Sequence, residues 1–494
     1  MTADPEGDGR YPETGFKKAL LDAAKPSGLR VLGPGSTGIQ VPGIALNASW
    51  IATAAKPGRL AMVSQSGSLI AGVMEWAAAR GIGCSHVISA GDAADIDIAD
   101  LLDYLAADAA ARAILLYVRS IHESRKFLSA ARAAARAKPV IVLKAGRRLG
   151  ADGEEVTALA PDEVFDAAIR RAGMLRVYDI DELFDAVQTL ACVRLQGWQG
   201  GESLAILCNG SGPGEIAADR LVAGGGRLAP LSAATEAALA ALIPGGWRGG
   251  DPVDLGHDAL PSRFAEAATL LLHDDGVDAL LVMHTPTARA AAAATAEAVT
   301  RVAREYKRTV LACWLGLGDA DKAAIRSLFA EAHIPVYRTP EKAARGFLHL
   351  IRYHRNQAML LQTPALPPAG TRAANRNGHA IIVAALQQGR GVLDDAEAGE
   401  LLAAYGIERV ADRAGGLSLT AGMAVDPIFG PVIRFGLGGA LSQLVGDRAL
   451  ALPPLNLSLA RELVSRTRIG RSILTAERAP LVAVEPLLVL LVQL

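Results

Sequence analysis

From residue 59 onward, short apolar runs rich in Val, Ile and Leu alternate with amphipathic stretches that have the helical period. Apolar strands that alternate with helices predict βαβ units and a parallel sheet covered on both faces. The chain is therefore predicted to be an α/β protein. Its first candidate strands are "RLAMVSQ" (59–65), "SHVISAG" (85–91), "ARAILLYV" (111–118) and "KPVIVLK" (138–144).

The pattern restarts after the Gly-rich stretch "QGWQGGE" (196–202). The two regions also show a weak internal similarity, because "LAMVSQSGSL" and "LAILCNGSGPG" each place a first strand before a small-residue turn and a helix. The sequence thus predicts two doubly wound domains in series. The second set of candidate strands is "SLAILCNG" (203–210), "VDALLVMHTP" (277–286), "RTVLACWLG" (308–316) and "IPVYRT" (334–339).

A third region follows "LQTPALPPAGTRAANRNG" (361–378), which has the composition of a linker. Beyond it, "AALQQGRGVLDDAEAGELLAAYGI" predicts two helices. The stretch "DPIFGPVIRFGLGGALSQLVGD" (426–447) predicts two short strands around a glycine turn. At roughly 150 residues per domain, a chain of 494 residues has room for three domains.

Composition and charge exclude several classes of partner. The 50 basic and 51 acidic residues nearly balance, and no basic run with interleaved aromatic residues points to nucleic acid. The N-terminus is acidic and polar, unlike a signal peptide, and the apolar tail "PLLVLLVQL" (486–494) is far shorter than the ~20 residues that cross a bilayer. A cytoplasmic protein without a membrane partner is expected. The widely spaced cysteines favour reduced, buried thiols over a zinc site.

The motif "SQSGS" (64–68) closes a strand and opens a helix. Backbone N–H groups and the helix dipole make such a junction a candidate phosphate or CoA site, to which Ser64, Ser66 and Gly67 would belong, with Ser68 as a further hydroxyl donor. The alternative is a serine N-cap with a tight-turn glycine. The sequence alone leaves both interpretations open.

The motif "NGSGPG" (209–214) has the same place in the second predicted domain. Its glycines permit close backbone approach, yet it is neither a dinucleotide fingerprint nor a P-loop. Functional and structural interpretations again stay open. The candidate phosphate- or CoA-binding residues here are Asn209, Ser211, Gly212 and Gly214.

Other polar clusters are interpreted as structural. The five aspartates in "GDAADIDIADLLDYL" (91–105) could suggest Mg²⁺, but acids at a helix N-terminus are the commoner case. The nine histidines show no metal-binding or triad-like spacing, so no metal site is predicted. The glycines Gly438 and Gly439 in "FGLGG" are a candidate nucleotide-facing turn or a plain hairpin turn.

Taken in order, these blocks resemble the NDP-forming acyl-CoA synthetases, which are ADP-forming acetate–CoA ligases related to succinyl-CoA synthetase. The similarity runs from about residue 28 to the C-terminus, and the wording of "SHVISAG" and "LNASW" is closest to the branch fused to GNAT acetyltransferases. It rests on "GRLAMVSQSGSL", "ARAILLYVRSI", "CNGSGPGEIAADRL", "DPVDLGHDA", "IPVYRTPEKAARGF", "LDDAEAGELLAAYGI" and "DPIFGPVIRFGLGG".

The resemblance implies two doubly wound, flavodoxin-like (succinyl-CoA synthetase-like) domains between two incomplete ones. The expected divisions are a remnant of a CoA-binding Rossmann domain (1–55), flavodoxin-like domains at 56–198 and 199–365, a linker (366–378) and a partial ATP-grasp domain (379–494). Family members use CoA, ATP or ADP, and Mg²⁺. The first strand of the Rossmann unit, the nucleotide-binding lysine segment and the final metal-binding strand are expected to be missing.

In this family a carboxylate attacks a phosphoryl group carried on histidine, and CoA then takes the acyl group. The resemblance places that histidine in the loop after the "KAGR" strand, but "GADGEEVTALAPDEVF" (150–165) contains none. Thr157 is no substitute, because an unactivated hydroxyl is a poor phosphoryl carrier beside imidazole. No catalytic residue is therefore assigned.

Two further departures fall on the same chemistry. Arg119 occupies the position of the glutamate that orients the phosphohistidine, and a cation cannot accept the imidazole N–H. Gln443 occupies the position of an acid that holds Mg²⁺–nucleotide, and an amide adds no charge. The synthetase chemistry is therefore expected to be lost.

Three hypotheses remain. The first is a catalytically degenerate family member with a CoA or acyl-CoA pocket. The second is an active acid–thiol ligase that works with a subunit supplying an intact ATP-grasp domain. The third is a non-catalytic partner of a paralogous synthetase, and a homo-oligomer is also compatible with the sequence.

Overall fold

The computed structural model describes residues 13–79, 81–146, 160–193, 201–245, 247, 249–287, 291–306, 308–316, 319–363, 371–390, 393–405, 418–439, 442–475 and 483–493. The chain divides into two compact units. Unit 1 holds residues 1–121, 126–146 and 172–358, and unit 2 holds residues 122–125, 147–171 and 359–494. Among the helices of the described part, none has the length and apolar character that crossing a membrane requires.

The first sheet of unit 1 has seven strands: β1 (Gly38–Val41), β2 (Leu46–Ser49), β3 (Pro57–Ser64), β4 (Cys84–Ser89), β5 (Ala113–Val118), β6 (Val140–Lys144) and β7 (Leu175–Val177). They lie in the order β2-β1-β4-β3-β5-β6-β7. Strands β3 to β7 are parallel to one another, and β1 is antiparallel to β2 and β4. In the structure, β1 and β2 extend the edge of this sheet, although their residues were expected to belong to a separate CoA-binding remnant.

The predicted alternation of strands and helices is confirmed in this half of the chain. Met62 and Leu115 share a core with Met74 and Leu183 on the helices, while Ala61 is equally buried on the opposite face of its strand. The helices are α1 (Glu13–Ala24), α2 (Gly67–Ala79), α3 (Ile98–Ala107), α4 (Ser124–Ala137), α5 (Pro161–Arg171, in unit 2) and α6 (Ile180–Cys192). Two short 3-10 helices span Lys25–Ser27 and Pro42–Ile44.

The second sheet of unit 1 is fully parallel. Its strands are β8 (Ser203–Cys208), β9 (Arg227–Leu228), β10 (Val253–Asp254), β11 (Ala279–His284), β12 (Thr309–Trp314) and β13 (Val336–Tyr337). The order is β10-β8-β11-β12-β13, with β9 beside β8. The helices are α7 (Ser211–Ala223), α8 (Ala233–Leu242), α9 (Pro261–His273), α10 (Ala292–Glu305), α11 (Asp319–Glu331) and α12 (Pro340–Leu361). This arrangement confirms the second predicted doubly wound domain.

The two sheets of unit 1 share a continuous core, because α6 lies against β13 and α12. The side chain of Thr189 is 2.6 Å from the hydroxyl of Tyr337, and Gln188 donates a hydrogen bond of 2.5 Å to the carbonyl of Val336. These contacts fix the last helix of the first flavodoxin-like domain on the last strand of the second.

Unit 2 contains α13 (Thr371–Gln387), α14 (Asp395–Ala404), β14 (Leu419–Asp426), β15 (Gly430–Leu437), α15 (Ser442–Val445), β16 (Arg448–Ala451), α16 (Leu457–Ser465), α17 (Arg468–Thr475) and α18 (Val484–Gln493). The three strands form an antiparallel sheet in the order β14-β15-β16. Its core gathers Ile433 and Phe435 of the sheet with Leu463 of α16 and Leu488 of α18.

The details of unit 2 correct two expectations. The first strand of the hairpin ends, rather than begins, at Asp426, whose carboxylate accepts the N–H groups of Ile428 and Phe429 and so makes the turn. Residues 371–378 of the expected linker are the start of α13, so a composition typical of loops is helical here.

Candidate functional site

Ser64 ends β3 at the carboxyl edge of the first sheet and is fully buried. Its hydroxyl accepts the N–H of Ser66 at 3.0 Å and donates to the carbonyl of the same residue at 2.8 Å. Both bonds stay within the turn. Ser64 therefore shapes the strand-to-helix junction, and its hydroxyl is not available to a ligand in this arrangement.

Ser66 and Gly67 form the start of α2. The Ser66 hydroxyl accepts the N–H of Leu69 at 3.3 Å and lies 3.2 Å from the exposed Ser68 hydroxyl, so Ser66 is an N-cap. A Cβ on Gly67 would lie 2.3 Å from the Cγ2 atom of Thr37. The helix therefore approaches Thr37 in a way that only glycine permits, and these contacts support the structural interpretation of the motif.

Arg119 is the first residue after β5, the strand next to β3. Its side chain is 59% exposed, and its Nη1 atom is 4.0 Å from Oδ1 of Asp92, whose other carboxylate oxygen is 3.9 Å from Lys17. Asp92 follows β4 and thus lies at the same edge of the sheet. The group on this loop is therefore a cation within ion-pair distance of a carboxylate.

Gln65 is a site residue that the sequence interpretation missed. Its side chain is buried, and its Oε1 atom accepts the N–H groups of Arg119 at 2.6 Å and Ser120 at 3.1 Å. Its Nε2 atom donates to the carbonyl of Ser120 at 3.1 Å. The signal that the sequence provides for Gln65 is a polar residue directly after a buried strand.

In the second flavodoxin-like domain, Asn209 is buried and bonded to one backbone position. Its Oδ1 atom accepts the N–H of Thr285 at 2.7 Å, and its Nδ2 atom donates to the Thr285 carbonyl at 2.9 Å. Ser211 and Gly212 are exposed in the first turn of α7, and a Cβ on Gly212 would meet nothing within 4 Å. These two residues are open to a ligand, whereas Asn209 is engaged.

Gly214 has a packing role. A Cβ at this position would lie 3.0 Å from Sγ of Cys208 and 3.0 Å from Cβ of Pro252. The glycine therefore lets α7 approach the strand ends closely. The candidate residues of the two domains belong to different sheets, each group at the carboxyl end of its own strand.

The candidate nucleotide residues of unit 2 follow β15. The N–H of Gly438 donates to the carbonyl of Ser418 at 2.8 Å, and a Cβ there would lie 2.7 Å from the Ser418 hydroxyl. Gly439 has a positive φ of 76° and leads to α15. Gln443 lies on that helix, not on a hairpin strand; its side chain, like all of Thr157, lies outside the described residues.

The aspartates after β4 support the structural alternative. Asp97 and Asp100 form a reciprocal capping box at the start of α3, and Nζ of Lys126 is 2.7 Å from Asp100. Hydrogen bonding from Arg30 lowers the pKa of Asp95. Within the part of the chain that the structure describes, no three His, Cys, Asp or Glu side chains gather into a metal site.

The buried histidines pack against their surroundings. His86 lies 3.2 Å from the Ser85 hydroxyl, and His284 stacks on Trp314 with ring centroids 5.3 Å apart. His349 is fully buried, 3.7 Å from Glu182. Burial lowers the pKa of His349. Burial alone would raise the pKa of Glu182, but the hydrogen bonds from His349 and from the Tyr178 N–H outweigh it and lower that pKa to about 2.

The cysteines are free thiols, as expected. Cys84, Cys208 and Cys313 are buried, and Cys192 is partly exposed. Burial raises the pKa of Cys84 and Cys192 to about 11, and that of Cys208 and Cys313 to about 12. Thiols with such raised pKa values are poor nucleophiles near neutral pH.

Two family models match separate regions of the chain. Residues 57–190 match the succinyl-CoA ligase like flavodoxin domain, and residues 408–494 match the ATP-grasp domain. The first match covers most of the first sheet and its helices. The second covers the antiparallel sheet of unit 2.

Relatives and solved structures agree with these matches. The ADP-forming acetate–CoA ligase II subunit alpha of Pyrococcus furiosus is 33% identical over 360 residues, which cover 71% of this chain and 77% of the relative. The ADP-forming acetate–CoA ligase I of Archaeoglobus fulgidus is 29% identical, over 92% of this chain and 76% of the relative. The dinucleotide forming acetyl-coenzyme A synthetase 1 of Ca. Korarchaeum cryptofilum, solved with phosphate and ADP, superimposes with a TM-score of 0.63 at 26% identity, over 71% of this chain and 76% of that one.

Proposed function

Because the chain belongs to the family of ADP-forming acetate–CoA ligases, we propose that it keeps a CoA or acyl-CoA site but does not transfer phosphoryl groups. The observation that carries this proposal is Arg119. The family resemblance requires a glutamate at this position after β5, and the structure has an exposed guanidinium within 4.0 Å of Asp92. A cation there repels a protonated imidazole and cannot orient it.

The sequence of the loop that would carry the phosphoryl group also supports the loss of phosphoryl transfer. Residues 147–159 contain no histidine, and Thr157 cannot replace one without a neighbouring base. Two separate changes, the loss of the histidine and the replacement of its glutamate partner by Arg119, support loss of the chemistry. A single substitution would leave more room for an alternative catalytic group.

The residues proposed for CoA binding lie at the helix starts of the two flavodoxin-like domains, each group at the carboxyl end of its own strand. The groups that fit phosphate are the first-turn N–H groups of α2 and α7, together with the exposed hydroxyls of Ser68 and Ser211. The open space at Gly212 would let a ligand approach the backbone. Ser64, Asn209 and Gly214 would shape this site from beneath. Four free thiols and a CoA ligand are compatible with the cytoplasm as the compartment.

The nucleotide and Mg²⁺ site that the family implies is poorly matched in unit 2. Gly438 and Gly439 are engaged in strand pairing and a turn, and the described residues provide no acidic cluster for the cation. No step of the proposed function therefore depends on Mg²⁺ or on ATP bound to this chain.

The decisive assay incubates the purified protein with acetate, CoA, ATP and Mg²⁺, and measures acetyl-CoA and acid-labile protein phosphate. We expect both at the level of a heat-inactivated control, while an intact ADP-forming acetate–CoA ligase run in parallel gives both. Calorimetric titration with CoA tests the binding half of the proposal. Acetyl-CoA above the control would contradict loss of chemistry, and the absence of CoA binding would contradict the retained site.

A second candidate function has support from one relative. The Pyrococcus furiosus protein is named a subunit alpha, so that relative works together with at least one other subunit. This chain would then act as an acid–thiol ligase with a subunit that supplies an intact ATP-grasp domain, or regulate a paralogous synthetase. Acetyl-CoA formed only when such a subunit is added would favour the ligase over the degenerate protein.

A further inference from the structure

In each flavodoxin-like domain, a buried carboxamide bridges two strand ends. Gln65 is 5% exposed and Asn209 is 2% exposed. Gln65 makes three hydrogen bonds of 2.6 to 3.1 Å with the backbone of Arg119 and Ser120. Asn209 makes two, of 2.7 and 2.9 Å, with the backbone of Thr285.

The two carboxamides occupy equivalent places in the two sheets. Gln65 directly follows β3, and Asn209 directly follows β8. Arg119 is the first residue after β5, the parallel neighbour of β3, and Thr285 is the first after β11, the parallel neighbour of β8. The weak similarity between "LAMVSQSGSL" and "LAILCNGSGPG" therefore extends to the structure, where Gln65 and Asn209 make equivalent side-chain hydrogen bonds.

The carboxamides act where the ladder of main-chain hydrogen bonds stops. Neighbouring strands end at this edge, so the next N–H and C=O groups have no strand partner, and buried backbone groups without partners are costly. A carboxamide offers one acceptor and one donor side by side, as a peptide does. Gln65 thus makes the hydrogen bonds to Arg119 and Ser120 that a longer neighbouring strand would have made.

We propose that Gln65 is a positioning residue that fixes the backbone of Arg119 at the mouth of the CoA site, so that this guanidinium is held ready for an anionic group of the ligand. Gln65 holds the main chain, and Asp92 is a charged neighbour of the side chain, 4.0 Å from Nη1. This inference rests on the proposed function for the identity of the anion, a phosphate of CoA. The clamp itself rests on the hydrogen bonds alone.

The clamp is tested by amide hydrogen exchange with mass spectrometry on peptides spanning residues 117–123 and 283–287. Gln65→Leu keeps the approximate size and removes all three bonds, so the Arg119 and Ser120 amides should exchange about tenfold faster. Asn209→Leu is the matched control, which should accelerate Thr285 and leave Arg119 unchanged. Unchanged protection of Arg119 and Ser120 in Gln65→Leu would overturn the proposal.

Gln65→Glu gives a second readout that survives poor folding of the leucine variant. Its carboxylate keeps an oxygen that can accept the N–H groups of Arg119 and Ser120, but it has no N–H for the Ser120 carbonyl. The Arg119 and Ser120 amides should therefore stay better protected in Gln65→Glu than in Gln65→Leu. Exchange as fast as in Gln65→Leu would contradict the acceptor role of this side chain.

The link to the ligand is tested by calorimetric titration with CoA. Gln65→Leu and Arg119→Ala should each weaken binding about fivefold, and the double variant should be no weaker than Arg119→Ala, because Gln65 acts through Arg119. Gln357→Leu removes another carboxamide, bonded to the carbonyls of Ala135 and Gly173, and should leave CoA affinity unchanged. Additive losses would overturn the link.

The two proposals fail in different ways. If the wild type does not bind CoA, the proposed function is wrong, while hydrogen exchange still decides whether Gln65 holds the loop. If CoA binds and the exchange of Arg119 is unaffected by Gln65→Leu, the site stands and the positioning role is wrong.

Discussion

The guanidinium of Arg345 donates a hydrogen bond of 2.6 Å to Oδ2 of Asp185 and so joins α12 to α6 across the two flavodoxin-like domains of unit 1. Both side chains are largely buried, 18% and 11% exposed. Beside this pair, Glu182 faces His349 at 3.7 Å and Lys342 faces Asp181 at 3.5 Å. Acidic residues line one helix and basic residues line the other, which fixes their register.

Arg345→Met should destabilise unit 1 by about 3 kcal/mol, because it leaves the carboxylate of Asp185 buried without its partner. The measurement is the free energy of unfolding from urea titration. The control is Arg355→Met, which breaks the more exposed pair with Glu202 and should cost less than about 1 kcal/mol. Equal costs for the two variants would show that burial does not govern these pairs.

Asp251 should make the protein less stable as the pH rises toward neutrality. Burial raises its pKa to about 7, although the N–H groups of Ile206 and Ala229 oppose the shift. The folded state thus favours the protonated acid, so its stabilising effect is complete below its ordinary pKa of 3.8 and is lost as the pH passes through about 7. Asp251→Asn should remove this dependence and raise the melting temperature at neutral and higher pH.

Asp274 provides a control of opposite sign. Burial opposes ionisation there, but hydrogen bonds from Thr235, Ser232 and Gly276 lower its pKa to about 2. Its contribution is present above its ordinary pKa of 3.8 and is lost as the pH falls through about 2. Asp274→Asn should therefore destabilise at neutral pH, where Asp251→Asn stabilises. The measurement is the melting temperature of both variants as a function of pH. A shift of the melting temperature in the same direction for both variants at neutral pH would contradict these assignments.

Two helical glycines should respond oppositely to alanine. A Cβ on Gly346 would lie 2.2 Å from the hydroxyl of Tyr337, which also contacts Thr189, so Gly346→Ala should destabilise by at least about 1 kcal/mol. A Cβ on Gly72 in α2 would meet nothing within 4 Å, so Gly72→Ala should stabilise by about 1 kcal/mol. The measurement is the free energy of unfolding of both variants from thermal or chemical unfolding. A stabilising effect of Gly346→Ala would contradict the close packing at this glycine.

Arg119→Glu should not restore phosphoryl transfer. The variant recovers the carboxylate that the family resemblance requires, yet residues 147–159 still provide no imidazole to phosphorylate. Acid-labile phosphate after incubation with ATP should stay at background, while CoA affinity should fall because an anion replaces a cation. Phosphate incorporation in this variant would reveal another carrier and would contradict the proposed loss of chemistry.

Much of the fold was accessible from the sequence because parallel strands buried on both faces leave nearly continuous apolar runs. The eight expected strands of unit 1 are all present, and the family resemblance agrees with the matched domain models. Unit 2 was harder to predict: the hairpin turn lies at Asp426 because its carboxylate caps two N–H groups, a local interaction that composition does not reveal.

For the site, the sequence by itself determined which chemical groups are present: a cation at Arg119, no histidine in the loop after β6, and small residues at the two strand-to-helix junctions. Only the tertiary structure decided which of them are free. Ser64 and Asn209 were candidate ligand-binding residues, but their side chains bond to backbone, and Gln65 is the residue whose side chain bonds to the backbone of Arg119. Hydrogen-bond partners at the end of a sheet come from a neighbouring strand some 50 to 80 residues away along the chain. The local sequence around each residue therefore does not reveal its hydrogen-bond partners.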